Sequence, residues 1–184
     1  MIFSRLPLEG AYLIEAQKIV DERGFFSRMF CEESFRERGL TTHWVQMNNS
    51  VCTHKATLRG LHFQRAPFAE CKLIRCIHGA VWDVIVDIRP GSVTYGQWYA
   101  AELSADNRLM LYVPEGFAHG YMSLTDGAEI IYPSSRRYTS SHEGGLHWAD
   151  PAVGISWPLD PAVVSAKDAA APSLSEMAPY ESTP

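Results

Sequence analysis

Leu58-Arg59-Gly60-Leu61-His62-Phe63-Gln64 places a cation, a glycine and an imidazole within four positions. An imidazole titrates near neutral pH, so a histidine held among donors and acceptors can move protons. Three other stretches gain meaning beside it: Lys72, the run from Pro114 to His119, and Tyr132. A lysine can meet an anion or a polarised oxygen, and a phenol carries its proton through the neutral range. Proton transfer is the chemistry these types suggest. Each residue also has a structural explanation. His62 fits a satisfied core histidine, Lys72 an exposed strand end, and Arg23 beside Gly24 a charged turn. Asn48, Asn49 and Ser50 either bound a strand or line a polar pocket with their side chains.

The elements that position these residues read mainly as strands. Leu61 and Phe63 interleave with His62 and Gln64, the period of two of a half-buried strand. In the strand Lys72–Ile77, Lys72 shares a face with Ile74 and Cys76, which points it inward. Further strands are expected over 44–50, 81–88, 95–103, 109–113, 120–124 and 128–132. Thr125-Asp126-Gly127 between the last two reads as a hairpin turn. Residues 1–30 read as short strands interrupted by Pro7 and Gly10, and 31–38 as a short helix with acids in its first turn and arginines in its last. Ser165 is placed to cap a second helix that stops before Pro172. The end of the chain, 173–184, is expected to be a loose tail. Many short strands with little helix indicate an all-β barrel or sandwich.

The chain's 184 residues suit one domain, and 46% apolar residues suit a soluble core. A net charge of -5 argues against nonspecific nucleic-acid binding, while leaving room for a local basic pocket. No stretch reaches the roughly 18–20 apolar residues of a membrane span, and the first residues lack a signal-peptide plan, so a cytoplasmic location is expected. Cys31, Cys52, Cys71 and Cys76 have no paired spacing and read as reduced thiols. There is neither a GxGxxG after a strand nor a P-loop, so no cofactor is suggested.

Pro114-Glu115-Gly116-Phe117-Ala118-His119-Gly120 resembles the second motif of the cupin superfamily, a double-stranded β-helix or jelly roll. Metal-binding cupins pair it with His-x-His. Here the corresponding strand supplies His62-Phe63-Gln64, one imidazole, so no metal site is expected. His119 is then a polar pocket residue or a structural one. Arg59-Gly60-Leu61-His62-Phe63-Gln64, Lys72-Leu73-Ile74-Arg75-Cys76, Asp83 to Arg89, the Pro114 motif and Ser165-Ala166-Lys167-Asp168 follow one another as in the dTDP-4-dehydrorhamnose 3,5-epimerase family. The resemblance runs from about Asp21 to Pro172.

The resemblance implies an all-β, metal-free cupin with short peripheral helices, acting as a homodimer on a dTDP-linked 4-keto-6-deoxyhexose in L-rhamnose biosynthesis, with strands of 1–30 exchanged between subunits. It makes His62 the base, Asp168 the carboxylate that orients it, Tyr132 the opposite-face acid, and Lys72 the residue near the sugar's 4-oxygen. Arg23, Gln46, Asn48, Arg59, His119, Glu143 and Lys167 fall at or near substrate-contact positions, and Tyr138 at an aromatic that stacks on thymine. The chemistry agrees: a 4-keto group acidifies C3 and C5, and inversion through an enolate needs a base on one face and a donor on the other. Two departures stand out, Arg28 in place of a frequent glutamate and Pro133 in place of a frequent lysine. Alternatives are a single-centre epimerase, an epimerase of another nucleotide-linked 4-keto sugar, or a silent sugar-nucleotide-binding cupin.

Overall fold

The computed structural model describes residues 1–180. In chain order its elements are β1 (Ile2–Arg5), β2 (Tyr12–Glu15), β3 (Lys18–Asp21), β4 (Gly24–Ser27), α1 (Glu32–Arg36), β5 (Gln46–Cys52), β6 (Thr57–Gln64) and β7 (Lys72–His78). There follow β8 (Ala80–Asp87), β9 (Trp98–Ser104), β10 (Leu109–Val113), β11 (Phe117–Ser123), β12 (Ala128–Ser134), β13 (Glu143–Gly145), β14 (Val163–Val164) and α2 (Ala166–Ala169). One six-stranded sheet has the order β1-β2-β10-β7-β12-β5. The other runs β13-β6-β11-β8-β9, with β14 added in parallel to β6.

From β5 to β12 the chain switches sheets at nearly every connection; only β8 and β9 pair as neighbours in both sequence and space. This alternation winds two antiparallel sheets into the cupin double-stranded β-helix. It also corrects the hairpin expected at Thr125-Asp126-Gly127. Those residues carry the chain from β11 in one sheet to β12 in the other. Asp126 Oδ1 accepts from the Lys55 amide at 2.6 Å and the Gly127 amide donates to Thr53, which ties the crossover to the parallel β5–β6 crossover.

Alternation along the strands sorts the core into three layers. Ile74, Cys76, Leu111 and Ile130 of the first sheet meet Val81, Ile85, Leu103 and Phe117 of the second between the sheets. The outer face of the second sheet, with Leu61, Phe63, Val84 and Val86, lies under the C-terminal segment. The outer face of the first, with Ile14, Leu73 and Met110, lies under Phe35 of α1. Both faces of most strands are therefore covered, and in β6 the alternation separates the outer apolar layer, with Leu61 and Phe63, from the cavity-lining His62 and Gln64.

The loose tail expected at 173–184 is corrected over its described residues, 173–180. Met177 and Tyr180 are buried on the outer layer, where Tyr180 meets Phe63 edge to face. Residues 181–184 lie outside the described residues. At the other end, β1 and β2 extend the first sheet beside β10. Only the β3–β4 hairpin pairs with itself alone. The strand expected at 120–124 begins three residues earlier at Phe117, so His119 is itself a strand residue.

Candidate active site

The site lies in the mouth of the barrel, and a bulge in β6 builds it. Against β11, His62 pairs with His119, but Arg59 pairs with Tyr121, so β6 spends one extra residue at Gly60–Leu61. Arg59 and His62 are three apart, and strict alternation would put them on opposite faces. The bulge turns both toward the same cavity. Gly60 is required there: its φ is +117°, and a Cβ would stand 2.6 Å from Gly120 Cα and 2.8 Å from the His119 carbonyl oxygen.

The amide released by the bulge has a use. Gly60 N–H donates to Asp168 Oδ2 at 3.0 Å, while Asp168 Oδ1 lies 2.7 Å from His62 Nε2. Ser165 Oγ in turn accepts from the Asp168 amide at 3.1 Å and caps α2. Asp168 is only 4% exposed, with one partner on each carboxylate oxygen and a third on its backbone amide. A carboxylate acceptor assigns the hydrogen to Nε2 and leaves the lone pair on Nδ1, which has no protein partner among the described residues.

His62, Lys72 and Tyr132 are shared walls of two adjoining cavities of about 410 and 170 Å³. Arg59, His119 and Lys167 complete the larger. Gln46, Asn48, Tyr138 and Glu143 complete the smaller. The amides at 48–50 do not end a strand; β5 runs on to Cys52, and Gln46 Nε2 donates to Asn48 Oδ1 at 3.2 Å. Lys72 points inward as its strand face predicts, with its Nζ 3.2 Å from Glu70 Oε1. Pro133 continues β12 opposite Met47.

Burial pushes the Tyr132 phenol above its ordinary range; the Glu70 carboxylate adds to this and Arg59 opposes it. At the rim, Lys167 Nζ is 2.6 Å from Glu143 Oε2, which also accepts from Tyr138 Oη at 2.9 Å. Burial raises Glu143, but these two donors outweigh it and hold the carboxyl below its usual range. Tyr138 itself stands 57% exposed, an aromatic face open to a planar ligand.

Eleven of the twelve residues singled out in the sequence thus meet around the two cavities. Arg23 does not. It sits on the β3–β4 turn, ion-paired with Asp21, its side chain 84% exposed. Arg28 likewise lies away from the cavities, in a surface groove beside Met1 and Lys18. Four site residues went unassigned from sequence. Asp83, fully buried, holds His119 Nε2 at 3.1 Å through both oxygens. Its signal was a carboxylate in mid-strand, in the same alternation as Val81 and Ile85. Glu70, Gln64 and Ser134 line the smaller cavity, and only Gln64 stood within a motif. Among the described residues no three His, Cys, Asp or Glu side chains converge as a metal centre requires.

The family model described as dTDP-4-dehydrorhamnose 3,5-epimerase matches residues 5–176. A protein of that name from Sinorhizobium fredii is 47% identical over 178 residues, covering 96% of this chain and 91% of its own. The crystal structure of such an epimerase from Elizabethkingia anophelis superposes with a TM-score of 0.92 at 40% identity, covering 96% of this chain and 97% of that one. A 3,5-epimerase from Legionella pneumophila, solved in complex with dTDP-4-keto-L-rhamnose, superposes with a TM-score of 0.90 at 37% identity over 99% of each chain.

Proposed function

The chain belongs to the dTDP-4-dehydrorhamnose 3,5-epimerase family, and from that premise we propose how its residues divide the work. The enzyme is an isomerase that inverts C3 and C5 of dTDP-4-dehydro-6-deoxy-D-glucose, giving dTDP-4-dehydro-L-rhamnose. The observation that carries the division of labour is the His62–Asp168 contact at 2.7 Å, beside a cavity that His62 shares with Lys72 and Tyr132.

His62 Nδ1 takes the proton from the carbon beside the ketone. Asp168, hydrogen-bonded to Nε2, stabilises the imidazolium that forms. The electron pair of the broken C–H bond moves into the enolate, whose oxygen meets the Lys72 ammonium. Tyr132 then gives its proton to the same carbon from the other face, and the configuration is inverted. The imidazolium loses its proton to solvent and the phenolate regains one, which resets the site for the second carbon. Arg59 and Lys167, with His119, suit the diphosphate. Tyr138 offers its exposed face to the thymine, and Gln46, Asn48 and Glu143 supply polar contacts near it.

A homodimer completes this reading. The β3–β4 hairpin exposes Ile19 at 69%, Val20 at 71% and Phe26 at 62%, an apolar surface that one chain leaves uncovered. A second subunit covers it, and Arg23 at the hairpin tip then reaches the partner's diphosphate site. The expected setting is the cytoplasm and L-rhamnose biosynthesis; among the described residues no helix is long and apolar enough to cross a membrane. Turnover in deuterated water tests the reading. Deuterium at both C3 and C5 supports it, deuterium at one carbon supports a single-centre epimerase, and none at either supports a silent binding cupin.

A further inference from the structure

The roles proposed above leave a carboxylate on the wall of the smaller cavity unused. Glu70, two residues before β7, has a side chain 9% exposed, and its carboxylate has Lys72 as its ion-pair partner at 3.2 Å. A buried carboxylate is costly unless paired, so its presence beside a reacting site asks for an account. It lines the smaller cavity with Lys72 and Tyr132, which together with His62 also face the larger one. Opposite Lys72 in the β12–β7 register stands Ser134, 1% exposed, whose Oγ has no partner among the described residues. Tyr132 thus packs against the core on one side and meets a polar wall of Lys72, Glu70 and Ser134 on the other.

We propose that Glu70 is a positioning residue for the acid half of the reaction: it anchors Lys72 between the two cavities and keeps Tyr132 in its proton-bearing form. The inference rests on the assignment of Tyr132 as the acid. Inverting two carbons discharges Tyr132 twice per substrate, and each time a phenolate must recover a proton from solvent. A neighbouring carboxylate penalises that phenolate and so favours recovery. The other charges and titratable groups that line the two cavities with Tyr132 are Lys72 from its neighbour β7, Arg59 and His62 from β6, His119 and Tyr121 from β11, Lys167 and Asp168 from α2, and Tyr138 and Glu143 at the rim. Arg59 favours the phenolate, while burial and then Glu70 penalise it; the carboxylates of Asp168 and Glu143 are already engaged by His62 and Gly60 N–H and by Lys167 and Tyr138. Without the Glu70 charge burial alone opposes the cation, and the phenol loses its proton at lower pH.

The test is the pH dependence of kcat for epimerisation in the wild type, Glu70→Gln, Glu70→Asp and Tyr132→Phe. Glutamine keeps the shape and removes the charge. The expected result for Glu70→Gln is an alkaline limb moved down by about one pH unit, as for loss of one nearby charge in a partly buried site, with kcat lowered and KM changed less than twofold. Glu70→Asp restores the limb toward its wild-type position. An alkaline limb that stays put in Glu70→Gln, or a loss confined to KM, overturns the inference. Tyr132→Phe separates the two claims. If the limb persists in that variant, Tyr132 is not the acid and the underlying assignment fails. If the limb disappears there yet stays put in Glu70→Gln, only the role of Glu70 fails.

Discussion

Replacing Asp168 in two different ways distinguishes orientation from charge. In Asp168→Asn the side chain must still satisfy the buried Gly60 N–H, now 3.0 Å from Oδ2. The amide oxygen takes that place, which points the amide NH2 at His62 Nε2, where Oδ1 now lies 2.7 Å away. Two donors cannot share one hydrogen bond, so the imidazole moves its hydrogen to Nδ1 and loses the base that faces the substrate. The rate should fall on the order of 10²–10⁴-fold, the range of a missing general base. Folding should be nearly unaffected, because the Gly60 hydrogen bond survives. Asp168→Ala leaves the tautomer free and removes only the support for the imidazolium. A charge-assisted hydrogen bond contributes roughly 1.5–3 kcal/mol, so the rate should fall only about 10–150-fold. That variant leaves Gly60 N–H buried without an acceptor and should lose about 1–3 kcal/mol of stability. The order therefore crosses: alanine is the faster and less stable variant, asparagine the slower and more stable. A product-coupled epimerisation assay with urea unfolding of each variant measures both. An asparagine variant within threefold of wild type, or one faster than the alanine variant, would refute the reasoning.

Gly60→Ala should lose at least about 2 kcal/mol in urea unfolding together with most activity, since its Cβ would meet backbone of β11 at 2.6 and 2.8 Å and the φ of +117° disfavours a side chain; a stable, active variant would show that the bulge is not needed. Asp87 is buried, which raises its pKa, but Arg89, Ser92 and Thr94 outweigh burial and lower it from 3.8 to about 2. A depressed carboxyl stabilises the fold above its unfolded pKa, so about 2 kcal/mol should be present above pH ~4 and be lost as pH falls toward ~2. Asp87→Asn should flatten that part of the stability–pH curve, and an unchanged slope would count against the assignment.

Much of the site was legible because its residues sit in strands whose alternation survives folding. Lys72 shares a face with Ile74 and Cys76 in sequence, and all three are buried inside the barrel. What alternation could not supply was the sheet to which each strand belongs. Thr125-Asp126-Gly127 has hairpin chemistry, yet β11 and β12 find their partners in different sheets, where β6 and β8 saturate both edges of β11 and β5 and β7 both edges of β12. The β6 bulge was equally hidden: Arg-Gly-Leu-His reads as an unbroken strand until Gly60 meets Gly120. Asp83 and Glu70 looked like ordinary charges because their partners, His119 and Lys72, are decided by side-chain packing rather than by motif. Tyr180 looked like part of a polar tail, and only the apolar outer layer around Phe63 explains its burial.

The central claim is that His62 and Tyr132 serve opposite faces of one carbon. Following solvent deuterium into C3 and C5 alongside inversion, for His62→Ala and Tyr132→Phe, tests it most directly. His62→Ala should lose both exchange and inversion. Tyr132→Phe should retain exchange, because His62 still removes a proton and returns one to the same face, while inversion falls sharply. Equal loss of exchange and inversion in a folded, nucleotide-binding Tyr132→Phe enzyme would contradict it, as would wild-type exchange in His62→Ala.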